Sequence, residues 1–405
     1  MRELDLSVYF DPCPFLETDS FYQDQTLRLG RVVEKYTVQE HFPSVEGADV
    51  VIIGLSESRG VQESREYMCN GADNIRKDLY NLYPPQNMGK VVDLGNFRCG
   101  KNLEDTYYAI DEVVSSFLPE DTVILLLGGS QDLTYGVYRA YARLRRMANF
   151  LSVDARLNIA ENMTPDENPQ TAPLTHNTFM SRIAVEPDNY LFNYINIGYQ
   201  TYLVDPEARS LMSKLNFDSC RLGAIRDDIQ ETEPYVRGAD CLSFDLCAVK
   251  RSESPANPWA RPTGLSAEQA CQIFRYAGMS RNLRVAGVFE YYPLLDREGQ
   301  SAELASQMVW CFLDAMQYRM DDHPLTGENV EFKEYIVPME NTGRELVFYK
   351  CRQTDRWWMA LPCTEEQKKQ YGRHCFLPCG YSDYQTALRN EIPARWWGAL
   401  GRIRM

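Results

Sequence analysis

Short apolar runs recur along the first three quarters of the chain, and few of them alternate with polar positions. A continuous apolar run of about four to eight residues is typical of a strand that is covered on both faces, as in a parallel sheet. The pattern predicts strands over 49–55, 91–95, 122–129, 150–155, 194–198, 241–246 and 285–293.

Between these runs, apolar residues recur at the spacing of amphipathic helices. The pattern predicts helices over 72–83, 104–118, 133–147, 266–278 and 301–316. Because helices alternate with strands, we expect an α/β protein of three layers, α/β/α, with a central and mostly parallel sheet.

The pattern changes near residue 325, which divides the chain into a predicted α/β domain (1–325) and a C-terminal extension (326–405). Residues 329–362 predict two strands joined by the turn ENTGRE, a β-hairpin, and a helical, loop-like segment follows. The extension also contains two tryptophan pairs, at 357–358 and 396–397. Their burial against the domain is the simpler interpretation. The alternative is an anchor for a protein partner, because tryptophan is enriched at interface hot spots.

Charge and composition exclude several classes of function. The 405 residues have a formal net charge of −15 and a pI near 4.9, which argues against general binding to nucleic acid or anionic membranes. No run approaches the roughly 18 apolar residues of a membrane span. The N-terminus lacks the basic and apolar regions of a signal peptide, so we expect a cytoplasmic protein.

Twelve cysteines are spread along the chain and are expected to be reduced, mostly buried thiols. Four residues of the extension form a Cys/His cluster in the sequence: Cys363, His374, Cys375 and Cys379. Zinc binding is one interpretation of this cluster. Its spacing lacks the paired C-x2-C of strong zinc signatures, which favours ordinary packing.

Polar residues stand where four of the predicted strands end. They are Ser130-Gln131-Asp132, Asp154-Ala155-Arg156, Asp245-Leu246-Cys247 and Glu290. Because the carboxyl ends of parallel strands share one edge of the sheet, we expect these side chains to form a single site.

In order along the chain, these motifs resemble the ureohydrolases, the arginase/agmatinase/formimidoylglutamase family. That family ends successive strands with GGDH, DAHxD and SxDxD, which together hold two Mn(II) ions; this chain has GGSQD, DARLN and SFDLC. Five further segments match in order: GADNIRKDL, VVDLGN, THNTFMSRI, ARPTGLSAEQA and VFEYYPLLD. The resemblance covers about 45–320 and implies an arginase-like fold and a homo-oligomer.

By this resemblance, the ligands of the first metal correspond to Gln131, Asp154, Asn158 and Asp245, and those of the second to Asp154, Arg156, Asp245 and Cys247. Only the two aspartates keep the family's residue type. The first set is all oxygen, which leaves open a weak Mg²⁺ or Ca²⁺ site, or a residual Mn²⁺ site. Otherwise no cofactor is expected.

Arg156 argues against a metal ion at the second metal position, because an arginine stays protonated in proteins and cannot ligate a metal. We expect its guanidinium to fill the second metal position and to pair with Asp154 and Asp245, since two buried carboxylates need a partner. Without two metals, no hydroxide of lowered pKa is available for the family's reaction. Asp132 and Cys247 are candidates for a substitute nucleophile, although Cys247 could equally be a small buried thiol without a chemical role.

Three residues match the part of the family's pocket that contacts substrate. His176 matches a loop histidine, Asn177 replaces the glycine beside it, and Glu290 matches a glutamate that contacts the guanidinium. Each also has a structural interpretation, since a lone histidine is often a hydrogen-bonded core residue and Glu290 could pair with Arg156.

The sequence therefore favours a catalytically degenerate ureohydrolase, a pseudoenzyme with a binding, scaffolding or regulatory role. The alternative is an active metal-dependent hydrolase of C–N bonds in amidines or guanidines, similar to formimidoylglutamase or arginase, with an altered site, one form of which holds a single metal. A third interpretation gives the main role to the tryptophan-rich extension as an interaction module.

Overall fold

A computed structural model describes residues 4–13, 27–38, 41–61, 70–159, 168, 170, 172–327, 330–340 and 342–404. Within these residues the strands of a large sheet are β1 (Phe10–Asp11), β2 (Glu34–Lys35), β3 (Val50–Gly54), β4 (Val91–Phe97), β5 (Val123–Leu127), β6 (Ala148–Val153), β7 (Leu191–Tyr199), β8 (Asp218–Arg221), β9 (Cys241–Asp245) and β10 (Val285–Phe289). All seven predicted strands are confirmed, with ends shifted by a few residues.

The strand order of this sheet is β1-β4-β3-β5-β10-β9-β6-β7-β8, and β2 also pairs with β4. Every pairing is parallel except that of β1 with β4. The predicted parallel sheet is therefore confirmed. Strands β5, β10, β9 and β6 are consecutive neighbours, so their carboxyl ends share one edge of the sheet.

Helices cover both faces of this sheet. They are α1 (Leu29–Val32), α2 (Gly71–Asn81), α3 (Leu103–Phe117), α4 (Thr134–Arg143), α5 (Phe179–Ala184), α6 (Pro206–Lys214), α7 (Leu222–Asp227), α8 (Glu233–Gly238), α9 (Ala267–Met279) and α10 (Gln300–Ala315). On β3, Val50 and Ile52 pack with the layer of α2, α9 and α10, whereas Val51 and Ile53 pack with the layer of α3 and α4. Both faces are apolar, which explains why the strands lack alternation.

A buried ion pair joins helix α2 to strand β4. The Arg76 Nε lies 2.7 Å from Asp93 Oδ2, and both side chains are fully buried. Arg76 also donates to the Gly95 carbonyl at 2.8 Å. This arginine belongs to the GADNIRKDL segment, so the matching motif has a structural role in this chain.

The C-terminal extension is a second, antiparallel sheet with helices. Its strands are β11 (Phe332–Met339), β12 (Arg344–Cys351), β13 (Trp357–Ala360) and β14 (Phe376–Cys379), in that order, and its helices are α11 (Glu365–Tyr371), α12 (Tyr381–Leu388) and α13 (Ala394–Arg404). The predicted hairpin is confirmed as β11 and β12. The predicted helical segment contains α11, α12 and α13, and two further strands that the sequence did not predict, β13 and β14, extend the hairpin into a four-stranded sheet.

Three of the four tryptophans in the extension are buried. Trp358 contacts the α/β domain, where the Arg237 guanidinium lies 4.5 Å from its ring centroid. Arg237 also donates to the carbonyls of Trp357 and Cys379. Trp397 is 47% exposed. Burial therefore accounts for three tryptophans, and a protein partner of the extension stays a prediction.

The four residues of the Cys/His cluster do not converge on one point. The His374 ring stacks on Phe192, with 4.0 Å between the ring centroids. The Cys375 thiol donates to the Gln367 carbonyl at 3.9 Å. The residues described here contain no grouping of three metal-ligating side chains from this cluster.

The described part of the chain also contains no helix that is long and apolar enough to cross a bilayer.

Candidate active site

The predicted site residues gather at the carboxyl ends of β5, β10, β9 and β6. Gln131, Asp154, Asp245 and Glu290 follow these four neighbouring strands, and all four are buried. Asn158 and Cys247 are buried beside them. The structure thus brings together the side chains that the sequence placed at the ends of separate strands.

Asp154 is the centre of the hydrogen-bond network. Its Oδ1 accepts the backbone N–H of Arg156 at 2.8 Å and the thiol of Cys247 at 3.3 Å. Its Oδ2 accepts the side-chain amide of Asn158 at 2.7 Å. Burial raises the pKa of this carboxyl above its ordinary value, against the lowering effect of these donors.

Asn158 bridges two of the former ligand positions. Its backbone is left-handed, with φ of 55°, a conformation that asparagine tolerates better than most residues. Its Nδ2 donates to Asp154 and also to Gln131 Oε1, at 2.9 Å. Two oxygen acceptors on one atom fix the orientation of the amide. Asn158 therefore directs hydrogens, and not a lone pair, toward the Asp154 carboxylate.

Asp245 is held by two donors on one oxygen. Its Oδ1 accepts the Cys247 backbone N–H at 2.6 Å and the Asn257 side-chain amide at 3.1 Å. Burial, followed by the charge of Asp154, raises the pKa of Asp245 well above its ordinary value. The charge of Asp154 therefore disfavours ionisation of Asp245, because like charges repel in a buried site.

Glu290 reaches the site from the end of β10. Its backbone is left-handed, with φ of 60°. One carboxylate oxygen accepts the Gln131 backbone N–H at 2.8 Å, and the other accepts the Tyr292 hydroxyl at 2.7 Å. Burial raises the pKa of Glu290 to about 7. Glu290 is therefore fixed by its neighbours, and its contact with a ligand stays a prediction.

The predicted ion pairs of Arg156 are not formed. In the described part of the chain, Arg156 is joined to Asp154 by its backbone N–H, and no ion pair links its guanidinium to Asp154, Asp245 or Glu290. Its side chain is half-buried at the rim of the site, and its charge lowers the pKa of Asp154 only as one of the weaker influences. The prediction failed because spacing gives the position of a residue but not the direction of a long side chain.

A second polar group lies beside this network. Asp132 accepts the Tyr107 hydroxyl, and burial raises its pKa to about 6. His176 packs on Trp259 with ring centroids 4.8 Å apart, and burial lowers its pKa. Three buried atoms of the site have no hydrogen-bond partner among the described residues: Gln131 Nε2, Asp132 Oδ1 and His176 Nδ1. Asn177, next in sequence, is half-buried.

Sequence reasoning missed several residues that shape the site. Tyr107, Tyr292, Asn257 and Trp259 all contact residues of the network. Tyr292 follows Glu290 by two residues and stood within a matched segment, so it was accessible to sequence analysis. Asn257 lies in a loop whose position depends on the folded chain, and no local pattern indicates it.

Two bridged metal ions do not fit this site. The ligand atoms of Asp154, Asp245 and Cys247 lie within 4.8 Å of one another, which is close enough for one ion. A second ion would need donors from Arg156, which has no lone pair to offer. Asn158 directs its amide hydrogens, and not a lone pair, at Asp154. The residues present fit at most a single cation.

Comparison with known proteins identifies the family. A profile of the arginase family matches residues 48–314. The formimidoylglutamase of Photorhabdus laumondii is 25% identical over 305 residues, which cover 71% of this chain and 91% of that protein. The formimidoylglutamase of Cupriavidus pinatubonensis is 25% identical over 312 residues, covering 73% and 95%.

Solved structures agree in fold. Formimidoylglutamase from Bacillus subtilis superposes with a TM-score of 0.63 at 18% identity, covering 75% of this chain and 96% of that chain. Trypanosoma cruzi formiminoglutamase with Mn²⁺ gives a TM-score of 0.61 at 19% identity, covering 72% and 99%. The three-layer fold expected from the sequence is thus the arginase fold, and the C-terminal sheet is an addition to it. The chain belongs to the arginase family.

Proposed function

We propose that this chain is a catalytically degenerate member of the arginase family whose cleft binds a small ligand without hydrolysing it. One observation carries the proposal: the Asn158 amide bridges Asp154 and Gln131 at 2.7 and 2.9 Å, at positions that the family resemblance assigns to metal ligands. These hydrogen bonds occupy Asp154 Oδ2 and Gln131 Oε1, two oxygens that a metal would otherwise use. A nucleophilic hydroxide made by two metals then has no place to form.

The charge of the cleft indicates what it would bind. Asp132, Asp154, Asp245 and Glu290 are buried carboxyls, and burial raises the pKa of each, because an ionised carboxylate away from water needs a positive charge beside it. A cationic ligand, such as an amidinium or guanidinium group, would supply that charge. The unpartnered atoms of Gln131, Asp132 and His176 offer further hydrogen bonds to it.

Activity and binding separate the proposal from its rival. The purified chain, incubated with Mn²⁺ and formimidoylglutamate, arginine or agmatine, is expected to release neither formamide nor urea. Calorimetric titration with the same compounds is expected to show binding that a Glu290→Gln variant weakens. Mn-dependent release of formamide or urea would contradict the proposal.

A second candidate function is supported by the three donors near one another. Asp154, Asp245 and Cys247 would hold one cation, which would supply Lewis-acid chemistry for hydrolysis of an amidine or guanidine C–N bond. This site is readily tested with Co²⁺, because a thiolate ligand gives a charge-transfer absorption in the near ultraviolet. Loss of that band in Cys247→Ser, but not in a Cys241→Ser control at the far end of β9, would support the single-metal enzyme. No band in the unaltered chain would exclude its thiolate form.

A further inference from the structure

Helices α9 and α10 pack side by side and run parallel, because each follows one of two neighbouring parallel strands. Their register is fixed at two levels. Arg275 of α9 pairs with Asp314 of α10 at 2.8 Å. Farther along, Gly278 lies so close to α10 that an added Cβ would stand 2.3 Å from the Phe312 carbonyl oxygen.

One turn before the Arg275–Asp314 ion pair, the same register brings two thiols together. The ion pair and the close approach of Gly278 place Cys271 of α9 opposite Cys311 of α10, and each side chain influences the pKa of the other. Both residues are half-buried, so part of each is exposed to solvent. Two cysteines that face each other on two rigid helices are candidates for a disulfide bond.

The two thiols differ in their environment. The Cys271 side chain and the positive charge of Arg275 lower the pKa of Cys311. The Cys311 side chain and burial raise the pKa of Cys271. Two partly exposed thiols on facing helices, with the guanidinium of Arg275 near them, resemble redox-sensitive cysteine pairs, in which one thiolate attacks and the other resolves.

A second thiol pair in the extension provides a contrast. Cys363 and Cys375 also influence each other, and burial raises the pKa of Cys363 to about 12. Lys368 lowers that pKa, and no arginine is among its influences. The extension pair therefore serves as an internal control for two neighbouring thiols.

We propose that Cys271 and Cys311 form a hydroperoxide-sensitive site that closes into a disulfide bond between α9 and α10. The Cys311 thiolate attacks the peroxide, forming an S–O bond as the O–O bond breaks, and an alcohol or water leaves. Cys271 then attacks the sulfur of the resulting sulfenic acid, forming the S–S bond while the S–O bond breaks. The Cys271 proton leaves with the hydroxyl as water. Two thiols are oxidised by two electrons and one peroxide is reduced.

The site is distinct from the cleft. Helix α9 follows β9 and α10 follows β10, the strands that carry Asp245 and Glu290. The disulfide would therefore join the two helical connections behind the cleft. It closes a segment of the chain between residues 271 and 311, which restricts the unfolded state and stabilises the folded one. This proposal does not depend on whether the cleft is catalytic.

Peptide mapping of the full-length chain tests the proposal. The reduced protein is treated with stoichiometric hydrogen peroxide, alkylated, digested and analysed without reductant. We expect a cross-linked peptide that contains residues 271 and 311, lighter by about 2 Da than the two reduced peptides together. The thermal midpoint should rise on oxidation and return when dithiothreitol is added.

Variants separate the attacking from the resolving thiol. In Cys311→Ser the rate of peroxide-dependent thiol loss should fall about tenfold or more, whereas Cys363→Ser should react like the unaltered chain. In Cys271→Ser, dimedone should trap a sulfenic acid at position 311. The proposal is overturned if the unaltered chain gives no peptide linking 271 to 311, a result that requires no variant to fold. Equal rates in Cys311→Ser and the unaltered chain would also overturn it.

Discussion

Replacing Asn158 by aspartate tests the hydrogen-bond network of the cleft most sharply. Asn158→Asp keeps the size of the side chain and the tolerance for the left-handed backbone, but it removes the amide donor. The new carboxylate would stand about as far from Asp154 as the present amide nitrogen, which is 2.7 Å from Asp154 Oδ2. Two buried carboxylates at that distance cannot both be ionised, so one takes up a proton.

The loss of unfolding free energy in this variant follows from the cost of keeping one of the two carboxyls protonated. An ordinary aspartate has a pKa of about 3.9, and each pH unit above it costs about 1.4 kcal/mol, so full protonation at pH 7 costs up to about 4 kcal/mol. Loss of the hydrogen bond to Gln131 adds about 1 kcal/mol. Because Asp154 already has a raised pKa and can accept part of the proton, we expect a loss of about 3–5 kcal/mol at pH 7.

The loss of stability in Asn158→Asp should depend on pH. The folded variant holds a proton that the unfolded chain releases, so its stability rises as the pH falls toward the unfolded pKa. The loss should be smaller by about 2–3 kcal/mol at pH 5 than at pH 7. Urea denaturation in EDTA at both pH values measures it, with Asn158→Gly as the control that lacks a side chain and adds no charge. A variant as stable as the unaltered chain at pH 7, or a loss independent of pH, would refute the bridging role of Asn158.

Arg76→Met leaves Asp93 buried without its partner and should cost about 3–5 kcal/mol in urea denaturation; a loss below about 1 kcal/mol would contradict the ion pair's role. The raised pKa of Glu290 should lower the unfolding free energy by about 1 kcal/mol per unit as the pH rises from 5 to 7. Glu290→Gln should remove that slope, and an unchanged slope would argue against it. Arg237→Met loses two hydrogen bonds to the extension, so limited proteolysis should cleave residues 326–404 faster, and an equal rate would contradict the contact.

The central sheet was predictable from the sequence because its strands are short, continuous apolar segments. Val50–Gly54 and Val123–Leu127 are apolar at every position apart from one glycine, and short buried strands have few alternatives. The capped helix α9 was similarly predictable, since Ser266 accepts the Gln269 backbone N–H as a capping box requires. The extension was harder: β13 and β14 have four residues each, and their pairing joins segments separated by a helix.

The candidate site was predictable in membership but not in geometry. Asp154 and Asp245 were placed correctly because parallel strands bring their ends together. The direction of the Arg156 side chain was not predictable, since several rotamers fit the same backbone. The hydrogen bond from the Asn257 side-chain amide to Asp245 was not predictable either, because it depends on the position of a loop that no local pattern indicates. Hydrogen bonds across the fold carry no local signature.

Crystallography with anomalous scattering at the manganese edge, on crystals soaked in Mn²⁺, tests the central claim most directly. The account predicts at most one manganese peak, with Asn158 still donating to Asp154 and Gln131. Two manganese peaks bridged by Asp154 and Asp245, with the Asn158 amide displaced from both acceptors, would contradict it.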